Sequence, residues 1–234
     1  MSRSYSGRVA GDLLGGVSGE QRQQVESRLA RRRFAKGEVL FHEGEPGDSL
    51  HIIERGRVAV QVSTPQGDVV TLTVLGAGSS FGEQALIDPL ARRTATVVAL
   101  EVCETRVLHR AEFDDLRARF PAVDRFLVEV LAAHVRRLSR QVVEALHVPV
   151  ELRVVRRLVD LADLYAPDPA SGAPSARGGL VDIPVRQEDL ASMAGTTRPT
   201  ANMVLKRLEA EGVIALSRGH VVVLDGARLR AAAR

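Results

Sequence analysis

Short apolar runs divided by glycine fill the stretch from Phe34 to about Arg110, and a different rhythm takes over beyond it. Val39-Leu40-Phe41, Leu50-His51-Ile52-Ile53, Arg57-Val58-Ala59-Val60-Gln61-Val62, Val69-Val70-Thr71-Leu72-Thr73-Val74, Thr96-Val97-Val98-Ala99-Leu100 and Thr105-Arg106-Val107-Leu108 alternate or are rich in β-branched residues, so they read as strands. Gly37, Gly44, Gly47, Gly56, Gly67, Gly76 and Gly78 fall between them, where sharp turns call for positive φ. Strands this short and regular predict a closed antiparallel sandwich or barrel. A helix is expected before them, over roughly residues 18 to 31.

From about Ala122 to His147 the period becomes helical. Val128, Leu131, Val135, Leu138, Val142 and Ala145 follow one another at three, four, three, four and three residues, a heptad seam with Arg136, Arg137 and Arg140 off it. Such a stripe can pack on the chain's own sheets or pair with a second copy of itself. Val148-Pro149 interrupts the helix, because proline disfavours α geometry in the residue before it. A second helical pattern runs to about Leu164, and Pro167, Pro169, Gly172, Pro174, Gly178 and Gly179 mark residues 166–179 as a flexible loop. Gln187 to Gly195 reads as a short helix ending at glycine, and a further helix is expected from Thr197 to about Glu211. Thr197 is placed to cap it, with Pro199 in its first turn, where a missing N–H costs nothing. Two helices joined by a tight glycine turn form a helix-turn-helix, whose second helix enters the major groove of DNA. Residues 212–216 and 221–224, joined by Ser217-Arg218-Gly219-His220, then make a hairpin wing.

Composition narrows the chemistry. The 234 residues suffice for two ordinary domains, and with no Trp and 3% aromatics the core must be mostly Leu, Val and Ala. Cys103 is the one cysteine, which excludes an internal disulfide and an iron–sulfur cluster held by this chain alone, since such a cluster takes about four thiolates. Its alternating surroundings make it a small buried apolar residue. No apolar leader and no run of 18 apolar residues occurs, so a cytoplasmic protein without membrane association is expected. Net charge is only +3, so a nucleic-acid partner has to be argued from where the charges lie. Between Asp189 and Glu209 there is no acid, while Arg198, Lys206 and Arg207 are basic: the second helix shows DNA one sign of charge. The six histidines are scattered and no metal-ligand cluster is visible, so neither an enzyme nor a metal site is expected.

One constellation carries ligand chemistry. Phe81-Gly82-Glu83-Gln84-Ala85-Leu86 is followed by Arg93-Thr94-Ala95-Thr96-Val97. A guanidinium offers a planar fork of donors to a phosphate, backbone N–H groups and the Thr94 hydroxyl can serve its other oxygens, and Glu83 can accept from a ribose hydroxyl. These groups together can hold a cyclic nucleotide. The competing reading is a hairpin with a surface Arg–Glu pair, and in either case Arg93 is placed on a surface loop.

The Gly-Glu and Arg-Thr-Ala pair at this spacing resembles the phosphate-binding cassette of the cyclic AMP receptor protein/fumarate–nitrate regulator (CRP/FNR) family, and residues 185–224, including Thr-Arg-Pro-Thr-Ala-Asn, resemble that family's winged helix. The resemblance extends over essentially everything after residue 18. It implies an α+β protein: a cyclic-nucleotide-binding β-roll (double-stranded β-helix, or jelly roll) over 1–121, a dimerisation helix over 122–147 and a winged helix-turn-helix over 148–234. It implies cyclic AMP as effector, with Gly82, Glu83, Gln84, Ala85, Arg93 and Thr94 on the ligand, and a homodimer on pseudo-palindromic double-stranded DNA with RNA polymerase as a protein partner. Two adjacent hydroxyl residues that bond adenine in the cyclic AMP receptors fall on Leu138 and Ser139. Only the serine is kept, so base selectivity should be weakened by about one neutral hydrogen bond, 0.5–1.5 kcal/mol. On the reading helix Arg198 matches a family arginine that contacts guanine, whereas Pro199 and Met203 stand where polar base contacts are expected, so the operator should differ. Arg186, Gln187 and Thr200 are placed on phosphates, Asn202 on a base edge, and Thr197, Lys206 and the wing's Arg218 complete the DNA-facing set. A regulator with a different or no effector is the alternative, and a cyclic-nucleotide module acting on a protein partner is disfavoured by the helix-turn-helix.

Overall fold

The computed structural model describes residues 19–166 and 180–234, so the expected loop falls, apart from Ala166, outside the described residues. The chain divides into two compact units, with the boundary between Ser139 and Arg140.

In the first unit the elements are α1 (Gly19–Ser27), β1 (Ala30–Phe34), β2 (Val39–Phe41), β3 (Ser49–Arg55), β4 (Val58–Ser63), β5 (Val69–Leu75), β6 (Ser80–Phe81), α2 (Gln84–Ile87), β7 (Thr96–Ala99), β8 (Cys103–His109), α3 (Arg110–Arg119) and the start of α4 (Pro121–His147). The strands form two four-stranded antiparallel sheets, ordered β1-β8-β3-β6 and β2-β7-β4-β5. The expected first helix ends short: Arg31 lies in β1, which pairs with β8 from Ala30↔Val107 to Phe34↔Cys103. Ala30-Arg31-Arg32-Arg33 is exposed throughout, so no alternation betrays the strand, and arginines on a sheet edge discourage further pairing. Glycine takes positive φ at 37, 44, 56, 67 and 78 as expected, and also at 82, but not at 47 or 76. Gly47 is needed for space instead: a Cβ there would lie 3.0 Å from the Ala85 Cβ.

Val123, Phe126, Leu127 and Val130 recur at three, one and three residues on α4, and that face is buried against Leu50, Ile52, Leu108 and Phe113 of β3, β8 and α3. Leu131, assigned above to the seam, is half-buried and packs on the same core. The other seam residues stand in the open: Val135 is 61% exposed, Leu138 49% and Val142 57%, and Val128 and Ala145 are exposed too. Cys103 is fully buried, and burial, with Glu101 and Glu104 nearby, pushes its thiol up to about 11, which leaves it inert as a nucleophile.

In the second unit α4 ends at His147, and Pro149, at ψ 143°, precedes α5 (Val150–Tyr165). Glu144 accepts from Arg156 and Arg157 of α5, tying the last turns of α4 to this unit. Then come β9 (Val181–Ile183), α6 (Gln187–Met193), α7 (Arg198–Ala210), β10 (Ile214–Ser217), β11 (His220–Val223) and α8 (Gly226–Ala232). The wing has three strands, β10-β11-β9, one more than the hairpin expected. No described helix is long and apolar enough to cross a membrane.

Candidate functional site: a nucleotide cassette and a DNA-reading helix

The cassette is built where β6 runs into α2 and where the loop before β7 folds back over it. Arg93 is pinned through its backbone, whose N–H donates to the Glu45 carbonyl and whose carbonyl accepts from the Gly44 N–H, both at 2.8 Å. Arg110 ties the other side, donating from Nε to the Ala85 carbonyl (2.6 Å) and from Nη2 to the carbonyls of Gly47 (2.8 Å) and Asp88 (3.0 Å). Gly82 and Arg93 are thereby brought into contact. A Cβ on Gly82 would lie 2.6 Å from Arg93 Nη1 and 2.8 Å from the Ser49 carbonyl oxygen, and its φ of +84° also excludes a side chain.

Arg93 is not on the surface, as the sequence reading placed it. It is 8% exposed, lies over the Phe41 ring at 4.1 Å, and donates from Nη1 to the Ser49 carbonyl (2.7 Å) and from Nη2 to the Ser49 hydroxyl (3.0 Å). Asp48 follows at 3.8 Å. Burial pulls the guanidinium below its ordinary pKa while Asp48, Glu45 and Glu83 push it up; an arginine remains a cation throughout. Its Nε–H is buried with no hydrogen-bond partner among the described residues, an orphaned donor of the kind an anion satisfies. The residues present therefore fit a cyclic phosphate.

Glu83 takes a different partner from Arg93, so the surface Arg–Glu pair is not formed. It is 5% exposed, and its Oε1 lies 2.8 Å from His134 Nδ1 on α4. Burial alone raises a carboxyl, but the His134 hydrogen bond, Glu83's own backbone N–H and the charges of His134 and Arg137 hold it below the usual carboxylate range. Behind the pair, burial and then the charges of Arg93 and His109 push His51 down to about 3, so this ring, stacked on Phe81 at 5.2 Å, is a neutral core residue.

Ala85 is buried and its N–H donates to the Gly82 carbonyl (3.2 Å), while Gln84 and Thr94 are exposed beside them. Leu138 and Ser139 are exposed on α4, one turn beyond His134. Sequence reasoning missed Ser49, Phe41 and His134. The histidine had a signal: it stands four residues before Leu138, on the helix face already assigned to the base.

In the second unit α7 buries Ala201, Val204, Leu205 and Leu208, which turns Arg198, Asn202 and Lys206, spaced by four, to a single outward face. Gly195, at φ +60°, makes the turn between α6 and α7. Thr197 is at the cap but does not cap: its hydroxyl pairs with that of Thr200 at 3.0 Å instead of with a backbone N–H. Lys206 holds Glu209 at 2.8 Å, and Glu209 in turn accepts from the Leu216 N–H, so this lysine also braces the wing. Arg186 is exposed in an ion pair with Glu188 (3.2 Å), Gln187 and Thr200 are half-buried, and Arg218 is exposed at the wing tip.

Residues 31–120 match the family model of the cyclic nucleotide-binding domain, and residues 152–232 that of the Crp-like helix-turn-helix domain. The chain is 31% identical over 206 residues to the CRP-like cAMP-activated global transcriptional regulator of Mycobacterium tuberculosis, covering 86% of this chain and 87% of that protein. It is 31% identical over 218 residues to the cyclic AMP receptor protein of Thermus thermophilus, covering 93% and 94%. The crystal structure of the Thermus thermophilus catabolite activator protein matches with a TM-score of 0.53 over 95% of this chain and 98% of that one. A cassette that seats glycine against arginine, a helix-turn-helix with its wing, and relatives matched along nearly their whole length place this chain in the CRP/FNR family of transcriptional regulators.

Proposed function

We propose that this regulator is a homodimer whose effector is cyclic AMP, gripped by Gly82, Glu83, Gln84, Ala85, Arg93 and Thr94, with Leu138 and Ser139 at the base. The observation that carries the reading is the buried contact between Gly82 and Arg93, with the guanidinium Nε–H left unsatisfied. A planar cationic fork held against a glycine suits the cyclic phosphate, and a buried carboxylate held ionised next to it suits a ribose hydroxyl. The chemistry at this site is binding and not bond-breaking.

Dimerisation is supported by the bare apolar stripe of Val135, Leu138 and Val142 on a helix whose other face is already buried. We assign residues 1–121 to the β-roll, 122–147 to the dimer helix and 148–234 to the winged helix. Two copies present two α7 helices to successive major grooves of a pseudo-palindromic site, about 34–36 Å apart. Arg198 and Asn202 read bases; Arg186, Gln187, Thr197, Thr200, Lys206 and Arg218 hold phosphates, and RNA polymerase is the protein partner. Nucleotide binding shifts the population toward the DNA-competent arrangement. Calorimetry of the purified protein with cyclic AMP and cyclic GMP tests the effector. Saturable binding with cyclic AMP preferred is expected, and heat from neither nucleotide overturns this reading.

A further inference from the structure

The outward face of α7 carries an apolar side chain that the fold does not use. At about 100° per residue, the buried row of Ala201, Val204, Leu205 and Leu208 occupies one side of the helix, and Pro199, Met203 and Lys206 fall opposite its middle. Met203 is 58% exposed, whereas Val204 and Leu205 beside it are at 1% and 0%, so its side chain adds little to the core. Pro199, one turn earlier, is exposed as well. Charge flanks the pair: Arg198 and Arg207 are exposed and hold no acid among the described residues, and α7 has no acidic residue before Glu209.

A strip of this kind fits an occupant that is polyanionic overall and apolar at one point. Double-stranded DNA meets both conditions, because its major groove presents hydrogen-bonding edges and a single kind of apolar group, the C5-methyl of thymine. Methionine has no N–H or O–H to offer a base, and its sulfur accepts only weakly. Its unbranched, polarisable chain can settle against a methyl instead. Pro199 offers ring methylenes alone. The two residues stand four apart, about 6 Å along the helix, which is close to two base-pair steps of about 3.4 Å.

We propose that Met203, backed by Pro199, is a specificity-determining residue that selects thymine through its C5-methyl, beside the base read by Arg198. This rests on the assignment of α7 as the reading helix and adds an apolar component to a code otherwise written by Arg198 and Asn202. The methyl, and not the hydrogen-bonding edge of the base, is what the side chain recognises.

The test begins by selecting a duplex from random sequence with the full-length protein and cyclic AMP at fixed salt. Fluorescence anisotropy then compares that duplex with copies in which single thymines of a half-site are replaced by uracil, which removes the methyl and keeps the hydrogen-bonding edge. At one position or two neighbouring ones, wild type should bind the uracil duplex about fourfold more weakly, the worth of one buried methyl. Met203→Ala should bring that ratio close to one, while Met203→Leu, still apolar and long, should keep it. The guanine preference assigned to Arg198 should persist in both variants, and both should unfold at the wild-type temperature, since the side chain is exposed. Half-sites without thymine, equal affinities for thymine and uracil throughout, or an undiminished ratio in Met203→Ala overturn the inference and leave the reading helix standing. Loss of the ratio in Met203→Leu as well overturns its apolar basis. No enriched sequence at all overturns the assignment of α7 and this inference with it.

Discussion

Replacing Arg93 by alanine should unfold part of the protein's stability as well as its ligand site. The guanidinium makes two hydrogen bonds to Ser49, at 2.7 and 3.0 Å, and lies 4.1 Å over the Phe41 ring, all in a site 8% exposed. Hydrogen bonds from a charged group contribute about 1.5–3 kcal/mol each and a desolvated cation–π contact about 2 kcal/mol. Taking the guanidinium out of water costs several kcal/mol, which offsets more than half of that sum. The alanine also leaves the Ser49 carbonyl without its donor, at about 1–3 kcal/mol. The expected net loss is about 2–4 kcal/mol in the first unit. With a urea m-value of about 2 kcal/mol/M, its unfolding midpoint should fall by roughly 1–2 M, in protein with no nucleotide added. Calorimetry on the same sample should show nucleotide binding abolished. An unchanged urea midpoint would refute the seating of Arg93 on Ser49 and Phe41; an unchanged nucleotide affinity would refute the cassette assignment.

Three further substitutions probe the rest. Leu138→Thr should raise the preference for cyclic AMP over cyclic GMP by no more than one hydrogen bond, about 0.5–1.5 kcal/mol, read as a ratio of calorimetric affinities; an unaltered ratio removes Leu138 from the base. Val142→Asp places like charges face to face in the exposed stripe without touching the core, so sedimentation should report a folded monomer; a dimer would mean this stripe is not the interface. Arg198→Ala should relax discrimination at one guanine per half-site by about 1–3 kcal/mol in a binding-site selection, and identical base preferences would remove it from the reading role.

Much of the fold was legible because each core strand carries its own period. The helical break at Pro149 and the turn at Gly195 were equally local, set by a ring and by a positive φ. What escaped was decided by pairing. Arg31-Arg32-Arg33 is a strand only because β8 lies alongside it, and Ser80-Phe81 and Val181-Asp182-Ile183 are too short to show alternation. At the site, the residue types Gly82, Glu83 and Arg93 were readable from spacing, but their partners were not. Ser49 lies 44 positions from Arg93 and is joined to it only by the sheets. His134 meets Glu83 only once α4 packs on the first unit's core, and a hydroxyl placed at a helix start, as Thr197 is, can still find another hydroxyl before it finds an amide.

The central claim is that a cyclic nucleotide held by this cassette controls DNA binding by the winged helix. The direct test selects a DNA duplex from random sequence in the presence of cyclic AMP, then measures its affinity by fluorescence anisotropy at fixed salt with and without the nucleotide. Coupling between two sites of about 1–3 kcal/mol corresponds to a roughly 5–150-fold change in affinity. At least a fivefold tightening by cyclic AMP, lost in Arg93→Ala, is predicted. Equal affinities with and without the nucleotide, under conditions where calorimetry shows it bound, would contradict the account.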